Sequence, residues 1–447
     1  MKHLFTLLIA LSTLSSFAQK ALPAEVIKNI ESRIANGYSP SIAIGIIDKD
    51  GPQYYLFGTK TAGGQPVNEH TIYEIGSISK TFTGILLAQA VLEGKVKTDD
   101  PAQKHLPSTV KLPTKDDKQI TLGHLSDHTS ALAPMPTNFN PKDPTNPYAD
   151  YTVDQMYTFL NSYTLPREIG SKYEYSNLAQ GLLGHILALK AGSSYEALML
   201  NKIATPLGLK ETKITFDDKM KQNLAMGYSQ GVQVSNWDIP TLAGAGAIRS
   251  SVHDMLIYLQ ANMGLKKTKL LPAMQLAHQV RHDKVGGGTR VGLGWHISKG
   301  AEGDVIWHNG GTGGYRTFAG FVKETGKGVV VLTNSNKGAD DLGFHLLNSD
   351  AKLIEVQVSV KVPESVLESY VGVYELAPNF TITITRTGTQ LFGQATGQEQ
   401  FELFAKSDTE FFLKVVDAQV SFTSKDGKVE SLTLFQGGQV MPGKRIK

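Results

Sequence analysis

Ser77 and Lys80 stand three residues apart at the head of an apolar run, "YEIGSISKTFTGILLAQAVLEGKV", residues 73–96. On a helix that spacing puts both on one face. A lysine at the buried start of such a helix is costly unless something uses it. Nucleophilic catalysis would use it. A serine hydroxyl is a weak nucleophile until a base takes its proton. A desolvated lysine can have its pKa lowered enough to be that base. The N–H groups of the helix start favour the negative charge that then develops. Ser-x-x-Lys alone is a weak signal, and it recurs at Ser108/Lys111 and Ser349/Lys352. Ser108 lies between prolines, and Ser349 sits in a plain polar stretch. Only Ser77 follows a glycine and opens an apolar helix pattern. The plain alternative makes Ser77 an N-cap and Lys80 a surface residue.

Two further stretches hold suitable residues. "SKYEYSNLAQGLLGHILAL" contains the chain's only Tyr-x-Asn, Tyr175 and Asn177, just before another apolar helix pattern. A tyrosine beside a lysine can relay a proton, and an amide can hold a polar substrate group. The alternative is that Tyr175 packs and Asn177 caps the helix. "VIWHNGGTGGYRTFAGFV" runs from a short strand, 305–308, into His308-Asn309-Gly310-Gly311 and further glycines. Such glycines let backbone N–H groups approach a ligand closely. A phosphate loop is excluded there, because no Gly-Lys-Ser/Thr ends the run and no helix pattern follows.

Other patterns carry less. "GYSQG" places Ser229 in Gly-x-Ser-x-Gly, without the strand before and helix after that a nucleophile elbow needs. His124/His128 and His278/His282 are each four apart, but lack the zinc-protease glutamate and a third ligand. No metal site and no cofactor is expected.

The elements that must position these residues follow from periodicity. Residues 23–36 fit an amphipathic helix and 41–58 a β-hairpin turning at Asp50-Gly51. From about 98 to 263 the pattern is mainly helical, with helices over 152–163, 177–191, 195–204 and 251–263. A Pro- and Asn-rich loop over 133–151 has no periodicity. Strands return at 292–297, 305–308, 317–322 and 328–333, and 340–353 fits a closing helix. Strands at both ends predict one sheet built from distant segments with a helical insertion. Beyond about 358–362 the texture changes to a short helix and alternating strands, a small antiparallel sheet or partial barrel.

The chain has 447 residues, is 41% hydrophobic and carries a formal charge of +3. Without a basic cluster, a nucleic-acid partner is not expected. Residues 1–18, "MKHLFTLLIALSTLSSFA", read as a secretory signal, with Lys2 before the apolar stretch and Ser16-Phe17-Ala18 as the cleavage pattern. The chain has no cysteine, which excludes disulfides, thiolate metal sites and a Cys nucleophile. An exported protein, periplasmic or secreted, with no membrane span after cleavage, is expected.

Together, Ser77-x-x-Lys80, Tyr175-x-Asn177 and His308-Asn309-Gly310 resemble the serine β-lactamase and penicillin-binding protein superfamily, in its class C and esterase branch. "HLSDHTSAL" and "LAGAGAIRSSVHDM" fit as well, and the resemblance covers roughly 24–352. It implies a mixed α/β plus all-α fold: an antiparallel sheet flanked by helices, with a helical domain inserted and the site in the cleft between. The organisation expected is a signal over 1–18, a serine hydrolase domain over 19–355 and a β-rich accessory domain over 363–447. The resemblance implies that Ser77 forms an acyl-enzyme and that Lys80 and Tyr175 share the base and acid roles. It implies that Asn177 binds the substrate's amide side chain, with His308, Asn309, Gly310 and Gly311 along the strand. The N–H groups of Ser77 and Gly311 would form the oxyanion hole. The chain departs from the family's lactamases in lacking Lys-Thr-Gly. Histidine is mostly neutral at pH 7, so carboxylate recognition should weaken unless Arg316 supplies the charge. The substrate expected is a small-molecule or peptide acyl donor: a β-lactam first, or a carboxylic ester or D-amino-acid peptide. Two further outcomes are acyl transfer to an alcohol or amine, and a cell-wall sensor acylated without turnover.

Overall fold

The computed structural model describes residues 20–414, 416 and 418–447. The expected signal, 1–18, lies outside the described residues. Eight antiparallel strands form the main sheet, in the order Gly51–Gly58, Ser41–Asp48, Lys327–Thr333, Arg316–Val322, Gly303–Gly311, His296–Gly300, Thr289–Val291, His282–Gly286. The N-terminal hairpin thus joins the late strands, with Ile42 opposite Thr333 and Ile47 opposite Gly328.

Between Ser41 and Asp48 that strand is apolar, residues 42–47, because both its faces are covered. Ile42, Ile44 and Ile46 pack with Val26 and Ile30 of the helix Ala24–Ala35 and with Leu342 and Leu346 of Asp340–Leu347. The alternate residues face the helix Val252–Met263. A Cβ on Gly45 would lie 2.7 Å from Leu256 Cγ.

Between the two halves of the sheet comes the helical part, which includes Ser79–Leu92, Val153–Ser162 and Asn177–Ala191. Residues 79–88 are buried on every side, so that helix shows no polar stripe.

Some expected bounds shift. Residues 195–204 divide into a helix, Tyr195–Met199, and a π-turn, Leu200–Ala204. The strand expected at 292–297 starts at His296, because Gly294 (φ +71°) turns the chain just before it. The strand expected at 305–308 extends over Gly303–Gly311 and takes in the first glycines. The closing helix stops at Leu347.

After a linker, the helix Glu364–Tyr370 precedes eight strands that form a closed barrel, sealed where Tyr374 lies opposite Arg445. Closure leaves no strand edge open. Leu367 and Tyr370 enter the barrel core, and the Tyr370 ring stacks on Phe422 at 4.0 Å. Among the described residues no helix is long and apolar enough to cross a membrane.

Candidate active site

The strand Ile72–Glu74, paired with Arg249–Ser251, delivers the chain to Gly76. Gly76 has φ +50°, and a Cβ there would lie 2.7 Å from the Gly311 nitrogen. Only glycine meets both demands without strain. A 3₁₀ turn, Gly76–Ile78, then runs directly into Ser79–Leu92. Ser77 is partly exposed while its neighbours are buried.

Lys80 is 0% exposed. Its Nζ lies 2.9 Å from Ser77 Oγ, 2.8 Å from Asn177 Oδ1 and 2.7 Å from the Ala245 carbonyl. Among the described residues no carboxylate pairs with it. Burial pushes its pKa well below that of an ordinary lysine.

Asn177 is free to face Lys80 because Ser176 caps the helix, its Oγ accepting from the Ala179 N–H at 2.9 Å. The Tyr175 phenol stands near Ser77, whose hydroxyl partly offsets the effect of burial on it. The Tyr175 ring centroid is 4.7 Å from Lys80 Nζ. Burial raises its phenol above the ordinary tyrosine range, so the phenol is protonated at neutral pH.

The strand Gly303–Gly311 closes the other side. A Cβ on Gly310 would lie 2.0 Å from the Ile75 carbonyl oxygen, so backbone meets backbone there. His308 is buried, and its Nδ1–H donates to the Asn309 carbonyl at 2.6 Å. Burial, then the nearby His296 and Lys80, hold its pKa well below the ordinary histidine value. Asn309 does not join the cluster. Neighbours on a strand point to opposite faces, and its Nδ2 donates to Asp340 behind the sheet. Arg316 lies against Gly311, its Nη1 donating to the Thr312 and Tyr315 carbonyls at 2.9 and 3.0 Å.

Two neighbours, His128 and His296, lack a role at this site in the sequence reading. His128 stacks on Tyr175 at 4.6 Å and accepts the Ser176 N–H at its Nδ1, 3.1 Å away. The His296 ring lies 4.7 Å from that of His308 and bonds the Tyr173 hydroxyl at 3.1 Å. These residues come from separate elements, and no local spacing marks them. The other candidates sit elsewhere. Ser229 Oγ accepts from Asn336. His124 closes a capping box with Thr121, and His278 packs against Trp295 and Phe321. Ser108, Lys111, Ser349 and Lys352 are exposed.

Residues 26–349 match the model of the Beta-lactamase family. The chain belongs to that family. A Beta-lactamase of Escherichia coli (strain K12) is 27% identical over 384 residues, covering 77% of this chain and 98% of the relative. The D-alanyl-D-alanine-carboxypeptidase/endopeptidase AmpH of the same strain is 27% identical over 355 residues, covering 74% and 91%. Among solved structures, a class C β-lactamase from Rhodobacter sphaeroides superposes with a TM-score of 0.61 at 25% identity, covering 70% of this chain and 94% of that one. A β-lactamase/D-alanine carboxypeptidase from Pseudomonas syringae shares the fold, with a TM-score of 0.64 at 22% identity, covering 73% and 98%. Residues 357–445 match the model described as a domain of unknown function, DUF3471. This Beta-lactamase family member is a hydrolase of the serine β-lactamase superfamily.

Proposed function

We propose that the protein is an exported serine hydrolase working through an acyl-enzyme on Ser77, with Lys80 as its general base. The observation that carries this is the set of three oxygens around Lys80 Nζ. A neutral amine has two N–H donors and one lone pair. Asn177 Oδ1 and the Ala245 carbonyl can only accept, so they take both donors. The lone pair is left for the Ser77 hydroxyl proton. As the Ser77 oxygen attacks the acyl carbon, that proton moves to Lys80. The developing oxyanion is stabilised by the N–H groups of Ser77 and Gly311. Tyr175, protonated and close to Ser77, hands a proton to the leaving group and is replenished from Lys80. Water then attacks the acyl-enzyme along the reverse proton path.

The preferred substrate class is a β-lactam or related amide, in keeping with the relatives named above. One observation favours ester donors as a second reading. His308, neutral and buried, stands where a permanent cation would hold a substrate carboxylate. Arg316 is then the cation for that task, across the end of the strand from Gly311. The test compares turnover of a chromogenic cephalosporin and a nitrophenyl ester by the chain without residues 1–18, with Ser77→Ala alongside. Ser77-dependent cephalosporin turnover supports the first reading, and ester turnover alone supports the second. Turnover that survives Ser77→Ala sinks both. Recovery of the chain in a whole-cell lysate only, never in the periplasm or medium, would contradict export.

A further inference from the structure

Away from Ser77, His70, Glu211 and His253 converge from three distant segments. Their possible ligand atoms all lie within 4.8 Å of one another. His70 Nδ1 is 3.0 Å from Glu211 Oε1 and 3.1 Å from Oε2. The His70 and His253 ring centroids are 4.9 Å apart. The side chains of His70 and His253 are 44% and 35% exposed, so an ion can reach them, while that of Glu211 is only 7% exposed.

The groups behind these three are arranged as metal sites require. A histidine ligand is aimed by a carboxylate on its other ring nitrogen, which fixes the tautomer. His253 Nδ1 lies 3.3 Å from Asp254 Oδ1, leaving Nε2 as the ligating atom. Asp254 is itself held by the Glu211 N–H at 2.7 Å and the Thr212 hydroxyl at 2.9 Å. Glu69 Oε1 stands 3.9 Å from His70 Nε2, the nitrogen turned away from Glu211. Ser251 Oγ donates to Glu211 Oε2 at 2.7 Å and fixes that carboxylate.

The geometry points to a site for a divalent transition ion of the zinc class, bound by His70 Nδ1, His253 Nε2 and Glu211. Two imidazoles and one carboxylate are a donor set that zinc accepts, with bonds of about 2.0–2.2 Å and water in a fourth position. Binding exchanges the His70–Glu211 contact for two bonds to the ion. It also displaces Lys219, whose exposed Nζ stands 3.5 Å from Glu211 Oε1. The ion would fasten residue 70, just ahead of the strand that leads to Ser77, to the start of Val252–Met263. The spacing of these residues gives no sequence signature, because they meet only where the strands Ile72–Glu74 and Arg249–Ser251 pair.

The test uses the full exported chain, stripped with a chelator and dialysed. Zn²⁺ is titrated by calorimetry and Co²⁺ by visible absorption, for wild type, His70→Ala and His253→Ala, with circular dichroism as a folding check. The expected result is one equivalent of Zn²⁺ in wild type, a d–d band with Co²⁺, and a higher melting temperature with Zn²⁺. Each alanine variant should keep its far-ultraviolet spectrum, lose the cobalt band and bind Zn²⁺ at least tenfold more weakly. Asp254→Asn should cost roughly 10- to 100-fold as a positioning change. No binding by wild type, or binding by both alanine variants as tight as wild type, would overturn the site. None of these readouts depends on turnover at Ser77.

Discussion

Lys80 is buried beside Ser77 with no counter-ion among the described residues, and its depressed pKa sets the pH response of the site. kcat/KM should rise with pH as Lys80 loses its proton, well below the range of an exposed lysine. Lys80→Arg puts a permanent charge there that cannot act as a base, and should lower kcat by about 10²–10⁴. Steady-state rates across pH check both. The neighbouring imidazoles govern stability instead. His296 is lowered from 6.5 to about 4 by burial and then by Lys80, and burial also depresses His128 and His308 strongly. Below pH 6.5 the unfolded chain takes up protons that the folded one refuses, so stability falls as pH falls. His296 alone contributes roughly 3 kcal/mol between those pH values. Urea unfolding near pH 7 and near pH 4 should show the drop, and His296→Gln should reduce it. The meeting of Ser77, Lys80, Tyr175 and Asn177 was legible because each pair is local and heads an apolar helix. His128 and His296 were not, since tertiary packing alone brings them in. Asn309 misled because reading His308-Asn309-Gly310 as one unit ignores strand alternation.

Glycines let the elements approach closely enough to build the site. Gly76 pairs a left-handed φ with contact to Gly311. Gly76→Ala should destabilise the protein by about 1–3 kcal/mol and cut turnover further than that loss explains, because the Ser77 turn must shift. Thermal melts and rates on the same preparation separate the two effects. A Cβ on Gly84 would lie 1.9 Å from the Leu293 carbonyl, where the nucleophile's helix meets the segment before His296. Helices with strong apolar patterns were readable within a residue or two, as at Ala24–Ala35 and Asn177–Ala191. Where a glycine turn, a π-turn or a glycine-rich strand end set the boundary, periodicity carried no mark of it.

At the scale of the whole molecule, the hydrolase and the barrel have separate cores. A polar contact joins them, Lys337 Nζ to the Lys414 carbonyl at 2.9 Å. Calorimetry should therefore resolve two transitions. Leu432, fully buried in the barrel, offers a selective probe. Leu432→Ala should lower the barrel transition by about 2–5 kcal/mol and leave ester or lactam turnover unchanged. The sheet built from both ends of the hydrolase region was legible because apolar strand patterns cluster there. Closure of the barrel was not, because period-two strands fix their faces but not which edges meet.

The most direct test of the account is intact-mass and peptide mapping after brief exposure to a slowly released β-lactam or activated ester. The account predicts a single acyl adduct on Ser77, absent from Ser77→Ala and formed much more slowly by Lys80→Arg. An adduct on another residue, or the same adduct mass in Ser77→Ala, would contradict it.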